Sequence, residues 1–134
     1  MLQVNHVVTC FLESEGKILI LLRSDKVGTY RSKWGGVTGF IESTPDSQAH
    51  TEIQEETRLQ PSDVVLMNTG DPVTIEDKEL DRKWVVHPYL FHVKNASKIE
   101  IDWEHREMKW VLPEELDSYD TVPGLKEAYL RVRG

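Results

Sequence analysis

One helix, predicted in the first half of the chain, limits the fold most, because the sequence carries signals for both of its ends. Thr44 is a preferred N-cap residue, Pro45 fits the first helical position, and Asp46 places a negative charge in the first turn. Thr57 and Arg58 lie near the predicted end of this helix. The segment is therefore expected to form a helix whose register, and hence whose faces, can be assigned from the sequence.

Three acidic side chains lie on one face of this predicted helix. At about 100° per residue, Glu52, Glu55 and Glu56 fall within an arc of about 100°, beside the apolar residues Ala49 and Ile53. Like charges at this spacing destabilise a helix, and a hard divalent cation such as Mg²⁺ compensates them through oxygen ligands. The alternative is a solvated acidic face with no ligand.

The segment from Trp34 onward, WGGVTGFIE followed by the acidic helix, resembles the Nudix box of hydrolases that act on nucleoside diphosphates linked to another group. The residues that match are the opening glycine, the glutamate of an R-E pair, an apolar residue, an E-E pair and a closing apolar residue. These are Gly39, Glu52, Ile53, Glu55, Glu56 and Leu59.

The resemblance implies a Nudix-type α/β/α sandwich with a mixed β-sheet. It also implies that Glu52, Glu55 and Glu56 hold Mg²⁺, with Mn²⁺ as the alternative ion, and that the Gly39 carbonyl contributes to the same site. The implied activity is metal-dependent hydrolysis of a phosphoanhydride bond in a nucleoside diphosphate derivative. The implied partner is a small diphosphate-bearing molecule.

The chain departs from the Nudix box at several positions. The loop between Gly39 and Thr51 is two residues shorter than the pattern, Glu42 matches an acidic loop position only approximately, and Thr51 stands where the family has arginine. Arg58 replaces a late glycine and lies three residues after Glu55, so we expect Arg58 to supply some of the missing positive charge. Unchanged metal affinity and turnover in Arg58→Ala would contradict that hypothesis.

A second acidic stretch, DWEHREMKWVLPEEL at residues 102–116, also resembles Nudix proteins. The resemblance implies that Glu104 or Glu107 is a further metal ligand or the general base, and the sequence does not choose between them. Glu55 and Glu56 remain candidates for the same catalytic role. An exposed loop carboxylate without a function is the alternative for Glu104 and for Glu107.

The loop at residues 23–33 is locally basic and supplies the candidate substrate contacts. Arg23 lies at the end of a predicted strand, where its guanidinium could bind two phosphate oxygens at once. Trp34 follows the loop and is a candidate for the wall of the substrate site, with a core position as the alternative.

Apolar and β-branched runs predict strands at residues 4–12, 18–22, 64–67, 73–75, 83–93 and 108–111. The first two are expected to form a hairpin. Pro88 predicts that its strand lies at a sheet edge or contains a bulge, because proline cannot donate to a ladder. An apolar stripe of Leu125, Ala128, Tyr129 and Val132 predicts a closing helix at residues 123–133.

Size and charge narrow the functional classes. The 134 residues are expected to form one domain, 1–134, and a net charge of −7 disfavours a stable nucleic-acid complex or attachment to anionic lipid. No signal peptide or membrane span is predicted, and the single cysteine, Cys10, fits the cytoplasm. The sequence leaves the oligomeric state open, with a homodimer as one alternative.

Two other functions remain open at this level. The first is a nucleotide-binding or regulatory module that keeps the fold with weakened catalysis, which the missing arginine and the short loop favour. The second is an isomerase acting on a diphosphate, which by resemblance needs a cysteine near the metal. Cys10 is the one candidate for that role, although its apolar surroundings predict a buried structural thiol.

Overall fold

The computed structural model describes residues 2–134, in which eight strands and two α-helices form most of the regular structure. In chain order the strands are β1 (Gln3–Ser14), β2 (Lys17–Arg23), β3 (Trp34–Gly35), β4 (Val37–Phe40), β5 (Val64–Thr69), β6 (Val73–Asp77), β7 (Arg82–Val93) and β8 (His105–Val111). The α-helices are α1 (Pro45–Thr57) and α2 (Leu125–Leu130), and 3₁₀ helices span Pro61–Asp63, Ala96–Lys98 and Pro113–Ser118.

The sheet is mixed, as the resemblance implied. β1 runs parallel to β7 along its length, from Gln3 opposite Arg82 to Glu13 opposite His92. β4 pairs antiparallel with β1, β5 and β6 pair antiparallel with β7, and β3 and β8 pair antiparallel with β2. The parallel β1–β7 pair therefore joins residues about 80 positions apart in the sequence into the centre of the sheet.

The predicted hairpin of β1 and β2 is present only near its turn. The two strands pair at Glu13–Ile18 and Ser14–Lys17, and then they separate. Beyond that point β1 takes β4 as its antiparallel neighbour and β2 takes β3 and β8. The short strands β3 and β4 are adjacent in sequence, but β3 pairs with β2 and β4 pairs with β1.

Each face of the sheet is covered by a different helical segment. α1 packs Ala49 and Ile53, which are 0% and 1% exposed, against β1 residues that include Val8. On the other face, Leu125 and Ala128 of α2 are buried against residues of β1, β2 and β7. This arrangement confirms the α/β/α sandwich.

The closing helix is shorter than the sequence predicted. α2 covers Leu125–Leu130 instead of residues 123–133, because Gly124 adopts a left-handed φ of 81° and the chain after Leu130 forms turns instead of helix. A Cβ at Gly124 would collide with the side chain of Ile75, so glycine is required for this close approach. The predicted apolar stripe is nevertheless mostly buried, since Val132 is 0% exposed.

Of the two alternatives predicted for Pro88, the edge strand is wrong, because β7 lies between β1 on one side and β5 and β6 on the other. The β5–β7 ladder does contain a register shift, between Leu66 and Asn68 of β5. Pro88 lies where the neighbour of β7 changes from β6 to β5. There its carbonyl accepts a hydrogen bond from the Gly70 N–H at 3.3 Å. Gly70 belongs to the β5–β6 connection, so the missing proline N–H falls where the ladder is interrupted.

Neither α-helix within residues 2–134 combines the length and apolar character that crossing a bilayer requires.

Candidate active site

The local signals at both ends of α1 place the acidic residues. The Thr44 side chain accepts a hydrogen bond from the Ser47 N–H at 3.2 Å, and Pro45 is the first helical residue, as predicted. At the other end Arg58 adopts φ 68°, and its N–H donates to the Gln54 carbonyl. Arginine thus takes the left-handed conformation that glycine usually supplies, at a cost of about 1 kcal/mol.

The three predicted glutamates are not equivalent. Glu52 and Glu56, one turn apart, are only 9% and 2% exposed, whereas Glu55 lies on the exposed side of α1. Burial first, and then the charge of Glu52, raises the pKa of Glu56 well above its usual value. Burial also raises the pKa of Glu52. Two carboxyl groups therefore share a poorly hydrated pocket under α1.

Glu56 also has an incomplete set of hydrogen-bond partners. Its buried Oε2 has none among residues 2–134, while its Oε1 lies 3.5 Å from Nε2 of His105. His105 Nδ1 lies 2.9 Å from Oδ1 of Asp102, and burial lowers the pKa of His105. A buried carboxylate oxygen without a partner is unfavourable unless a ligand satisfies it.

Gln48 orients Glu52. The Gln48 side chain is buried, and its Nε2 donates to Oε2 of Glu52 at 2.7 Å. Its Oε1 accepts from the backbone N–H of Glu42 at 3.1 Å, which ties the loop to the helix. Thr51, at the position of the family arginine, instead donates its hydroxyl to the Ser47 carbonyl of its own helix.

Gly39 brings the backbone of β4 against the acidic pair. Gly39 lies opposite Val8 in the ladder with β1, and a Cβ built on Gly39 would overlap the Glu52 carboxylate. Only glycine leaves room for this approach. Gly39 and Glu52 therefore lie next to each other, as predicted.

The cation expectation can be tested against these contacts. Within residues 2–134, no three His, Cys, Asp or Glu side chains already converge on one point at metal-binding distance. The site nevertheless offers only oxygen donors: the unsatisfied Oε2 of Glu56, the carboxylate of the adjacent Glu52 and the carbonyl of Gly39. Such a set of donors suits a hard cation such as Mg²⁺. The residues therefore fit the ion, and metal binding stays a prediction.

A cavity of about 270 Å³ opens beside this acidic pair. Its charged end is defined by Arg23, Glu42, Glu52 and Glu104, and most of its other lining residues are apolar or aromatic. Because these charged residues come from β2, the β4–α1 loop, α1 and the loop before β8, the tertiary fold brings the separate sequence signals together.

Arg23 lies at the charged end of the cavity, as expected of a phosphate contact. Its Nε and Nη2 donate to the Thr29 carbonyl at 3.0 and 2.9 Å, which holds the basic loop in place. Burial lowers the pKa of Arg23, while the nearby charges of Glu56 and Glu104 oppose that shift. A guanidinium in this position carries a positive charge into a mostly acidic region.

The structure separates the two loop glutamates that the sequence could not rank. Glu104 lines the cavity, and burial followed by the charges of Asp102 and Glu52 raises its pKa. Glu107 lies on β8 next to Met108, which pairs with Leu21 on the α1 face of the sheet. Since neighbouring strand residues alternate between faces, Glu107 points away from α1.

Trp34 is also placed away from the cavity lining. It packs edge-to-face against Tyr119, with ring centroids 5.6 Å apart, within the core on the α2 face. The tryptophan that lines the cavity is instead Trp84 of β7. The core alternative for Trp34 is therefore the observed one.

A second, open groove lies on the outer side of α1. It has a volume of about 620 Å³ and is shared by Glu55, Arg58, Asp102 and Glu104. Arg58 makes no ion pair within 4.0 Å to any carboxylate in the described part of the chain, residues 2–134. Its expected role as a replacement charge stays a prediction.

Cys10 is a buried thiol, as the apolar strand predicted. It is 1% exposed, its Sγ lies 3.9 Å from the Ala49 carbonyl, and burial raises its pKa. It does not line the cavity, but the charges of Glu56 and Glu52 add to the rise in its pKa, so it lies near the acidic pair. The isomerase alternative stays a prediction.

Sequence reasoning missed Gln48, Asp102 and His105. Their spacing carried a usable signal, because Gln48, Glu52 and Glu56 follow one another at four-residue intervals and Asp102 precedes His105 by three. Such spacing places side chains on one helix face or within one turn.

Comparisons with known proteins agree with this geometry. A family model described as "NUDIX domain" matches residues 2–132. No curated protein matches this chain with significant similarity. Among solved structures, a MutT protein from Methanosarcina mazei Go1 is similar with a TM-score of 0.80 and 21% identity, over 97% of this chain and 93% of that one.

Two similar structures have more specific names. An Ap4A hydrolase from C. elegans matches with a TM-score of 0.74 and 14% identity, covering 97% of this chain and 94% of that one. The dihydroneopterin triphosphate pyrophosphohydrolase of E. coli matches with a TM-score of 0.73 and 17% identity, covering 96% and 94%. At these identities the similarity shows the fold, whereas the family model covers nearly the whole chain. This protein therefore belongs to the Nudix family.

Proposed function

We propose that the protein is a metal-dependent hydrolase that cleaves a phosphoanhydride bond in a nucleoside diphosphate derivative. Membership of the Nudix family supports pyrophosphohydrolase activity in general. The observation that carries the more specific proposal is the buried Oε2 of Glu56, which has no partner within residues 2–134 and lies near Glu52 and Arg23. An acidic pair of this kind next to a guanidinium suits a cation and the phosphate oxygens that accompany it.

Glu52 and Glu56, with the Gly39 carbonyl, would hold the ion, and Glu55 would contribute from the outer side of α1. When bound, Mg²⁺ or Mn²⁺ supplies the positive charge that neutralises the phosphate oxygens of the substrate. The family generally uses divalent metals, which supports this assignment. Gln48 would keep the Glu52 carboxylate in place through its 2.7 Å hydrogen bond.

The remaining steps use side chains of this chain. Arg23 would donate N–H hydrogen bonds to phosphate oxygens and hold the diphosphate in the cavity. Glu104 would accept a proton from water as the water oxygen attacks phosphorus, while the P–O bond of the anhydride breaks and the departing phosphate keeps the bridging oxygen. The raised pKa of Glu104 makes it a stronger base than an ordinary surface glutamate. No covalent enzyme intermediate is required.

The test is hydrolysis of a substrate panel by the purified protein with Mg²⁺ or Mn²⁺. The names of the structurally similar Ap4A and dihydroneopterin triphosphate enzymes recommend dinucleoside polyphosphates and triphosphates for the panel, beside nucleotide sugars. Glu104→Gln is expected to lower kcat by roughly 10²- to 10⁴-fold, as removal of a general base does. Glu107→Gln is the matched control, because Glu107 does not line the cavity.

The competing function is a binding module with weakened catalysis. The observation that favours it is Thr51, which bonds to its own helix and leaves the acidic pair without the family arginine. Ligand-dependent thermal stabilisation with no released product for any member of the panel would support the binding module and refute the hydrolase. The buried thiol of Cys10 is compatible with the cytoplasmic location that the proposal assumes.

A further inference from the structure

Three aromatic side chains, those of Tyr30, Phe40 and Trp84, form a rim of the cavity. The ring centroids of Phe40 and Tyr30 lie 6.0 and 6.3 Å from that of Trp84, and the Arg82 guanidinium lies over the Trp84 ring, 5.7 Å from its centroid. The Trp84 Nε1–H donates to the Tyr30 hydroxyl at 3.0 Å, and that hydroxyl donates to Oδ2 of Asp77 at 2.6 Å. The hydrogen bonds hold Trp84 and Tyr30 in fixed positions before any ligand arrives.

The floor behind this rim is apolar. It lies between the sheet, which contributes Val7 and Val86, and the segment entering α2, which contributes Val122, Leu125 and Ala128. The total cavity volume of about 270 Å³ is near the lower end of the range of roughly 300–1,000 Å³ for small-molecule sites. This part of the cavity therefore suits a compact group that buries apolar surface.

The polar side chains near the floor already have internal partners. The hydroxyls of Thr9 and Thr38 lie 3.2 Å apart, and the Thr38 hydroxyl also reaches the Gly36 carbonyl at 3.5 Å. No Asn, Gln, Asp, His or Lys residue lines the cavity within residues 2–134, and its charged lining residues are Arg23, Glu42, Glu52 and Glu104. Side chains that distinguish nucleobases by their edges are typically Asn, Gln, Asp or a charged residue.

We infer that this aromatic and apolar end binds the group attached to the diphosphate by stacking and apolar contact, without side-chain recognition of a nucleobase edge. The inference rests on the proposed function, which places the diphosphate at the charged end. It adds that Phe40, Trp84 and Tyr30 determine affinity for a planar group, and that the identity of the base matters little.

The two ways of binding a base predict different selectivity. A site that hydrogen-bonds a substrate group rejects an analogue lacking that group by about 10⁴- to 10⁵-fold, whereas an apolar pocket discriminates by only about 10- to 200-fold. We therefore expect the dissociation constants of ligands that differ only in the base to lie within about 200-fold of one another.

Binding can be measured without turnover. The probes are α,β-methylene diphosphates of adenosine, guanosine, cytidine and uridine, with methylene diphosphate itself as the baseless ligand, each in the presence of Mg²⁺. Stacking on Trp84 should quench tryptophan fluorescence, and calorimetry supplies the dissociation constant independently. One stacked base contributes roughly 5- to 150-fold to binding, so methylene diphosphate, which lacks both base and ribose, is expected to bind at least that much more weakly than the nucleotides.

Phe40→Leu is the principal variant, because Phe40 is 52% exposed and its truncation leaves the core intact. It is expected to weaken binding of all four nucleotides by a similar factor and to leave methylene diphosphate unchanged. Trp84→Phe should retain stacking but remove the quenching. Met67→Ala, at a 54% exposed position on β5 outside the cavity lining, is the control and should change neither quantity.

The inference and the proposed function fail in different ways. A preference of about 10⁴-fold for one base, or unchanged nucleotide affinity in Phe40→Leu, overturns the inference even if hydrolysis is observed. Base-independent binding with no hydrolysis of the cleavable panel overturns the proposed function and leaves the binding site standing. Absence of both binding and hydrolysis overturns both.

Discussion

At the scale of single residues, the site depends on Glu56, a carboxyl group that the fold buries without satisfying one of its oxygens. Burial raises its pKa, so the metal-free protein carries an energetic cost whenever the group is ionised. Such a cost is tolerated at functional sites, where the bound ligand removes it. The same residue should therefore affect stability and activity in opposite directions.

Replacing Glu56 with glutamine is expected to stabilise the metal-free protein at pH 8 by about 1–3 kcal/mol while reducing Mg²⁺ binding. A folded-state pKa above the unfolded value means that the penalty is present at high pH and disappears as the pH falls toward 4.5. The stability difference between the two proteins should shrink accordingly. Chemical denaturation with chelator at pH 8 and pH 5 measures it. At pH 8, His105 is neutral in both folded and unfolded states, since its folded pKa is lowered.

The second residue-scale prediction concerns Gln48, which orients Glu52 where the family arginine is missing. Gln48→Leu removes the 2.7 Å hydrogen bond to Glu52 and should lower Mg²⁺ affinity by about 10- to 100-fold, as loss of a residue supporting a metal ligand does. Gln54→Leu, on the exposed side of the same helix, is the control. Equal Mg²⁺ affinity in the two variants, measured by calorimetry, would show that Gln48 has no orienting role.

At the scale of elements, the close approach of β4 to α1 determines where the acidic pair lies. This close approach is possible because Gly39 has no side chain where the Glu52 carboxylate lies against β4. The capped start of α1 sets the register of the helix, and the glycine sets its distance from the sheet.

Gly39→Ala should consequently displace Glu52 and abolish high-affinity Mg²⁺ binding, because the new Cβ would overlap the carboxylate. A loss of stability of about 1–3 kcal/mol is also expected from overpacking. Gly28→Ala is a suitable control, since a Cβ there meets no atom within 4 Å. Calorimetric Mg²⁺ titration and thermal unfolding separate the two effects. Wild-type affinity in Gly39→Ala would contradict the assigned crowding.

At the scale of the whole molecule, the divided β1–β2 hairpin and the parallel β1–β7 pair bring α1, β2 and the loop before β8 to one place. A cation bound there connects segments that are distant in sequence. It binds the folded chain alone, so its binding energy adds to the stability of the entire fold.

Magnesium at 100 times its dissociation constant is therefore expected to raise the free energy of unfolding by about 2.7 kcal/mol. Chelation should reverse the increase. The double variant Glu52→Gln with Glu56→Gln should not respond to the ion. Calorimetric unfolding with and without Mg²⁺ tests this, and an equal response in the double variant would place the ion elsewhere.

The sequence by itself determined the elements whose causes are local. The ends of α1 follow from Thr44 and Pro45 and from the chain after Thr57, and the strands follow from apolar and β-branched runs. These features depend on residues within one or two turns of each other, so their physical basis is readable along the chain. The resemblance to the Nudix box added the fold, which the comparisons confirmed.

Only the tertiary structure decided which candidates share a site. Glu104 was separated from Glu107 because only Glu104 lines the cavity, and Trp34 was separated from Trp84 by its packing against Tyr119. The early divergence of β1 from β2 likewise depends on β4, which pairs with β1 where β2 no longer does. The parallel partner of β1, β7, lies about 80 residues away in the sequence. Burial and strand pairing are properties of distant contacts, and no local pattern reports which distant partner a residue will meet.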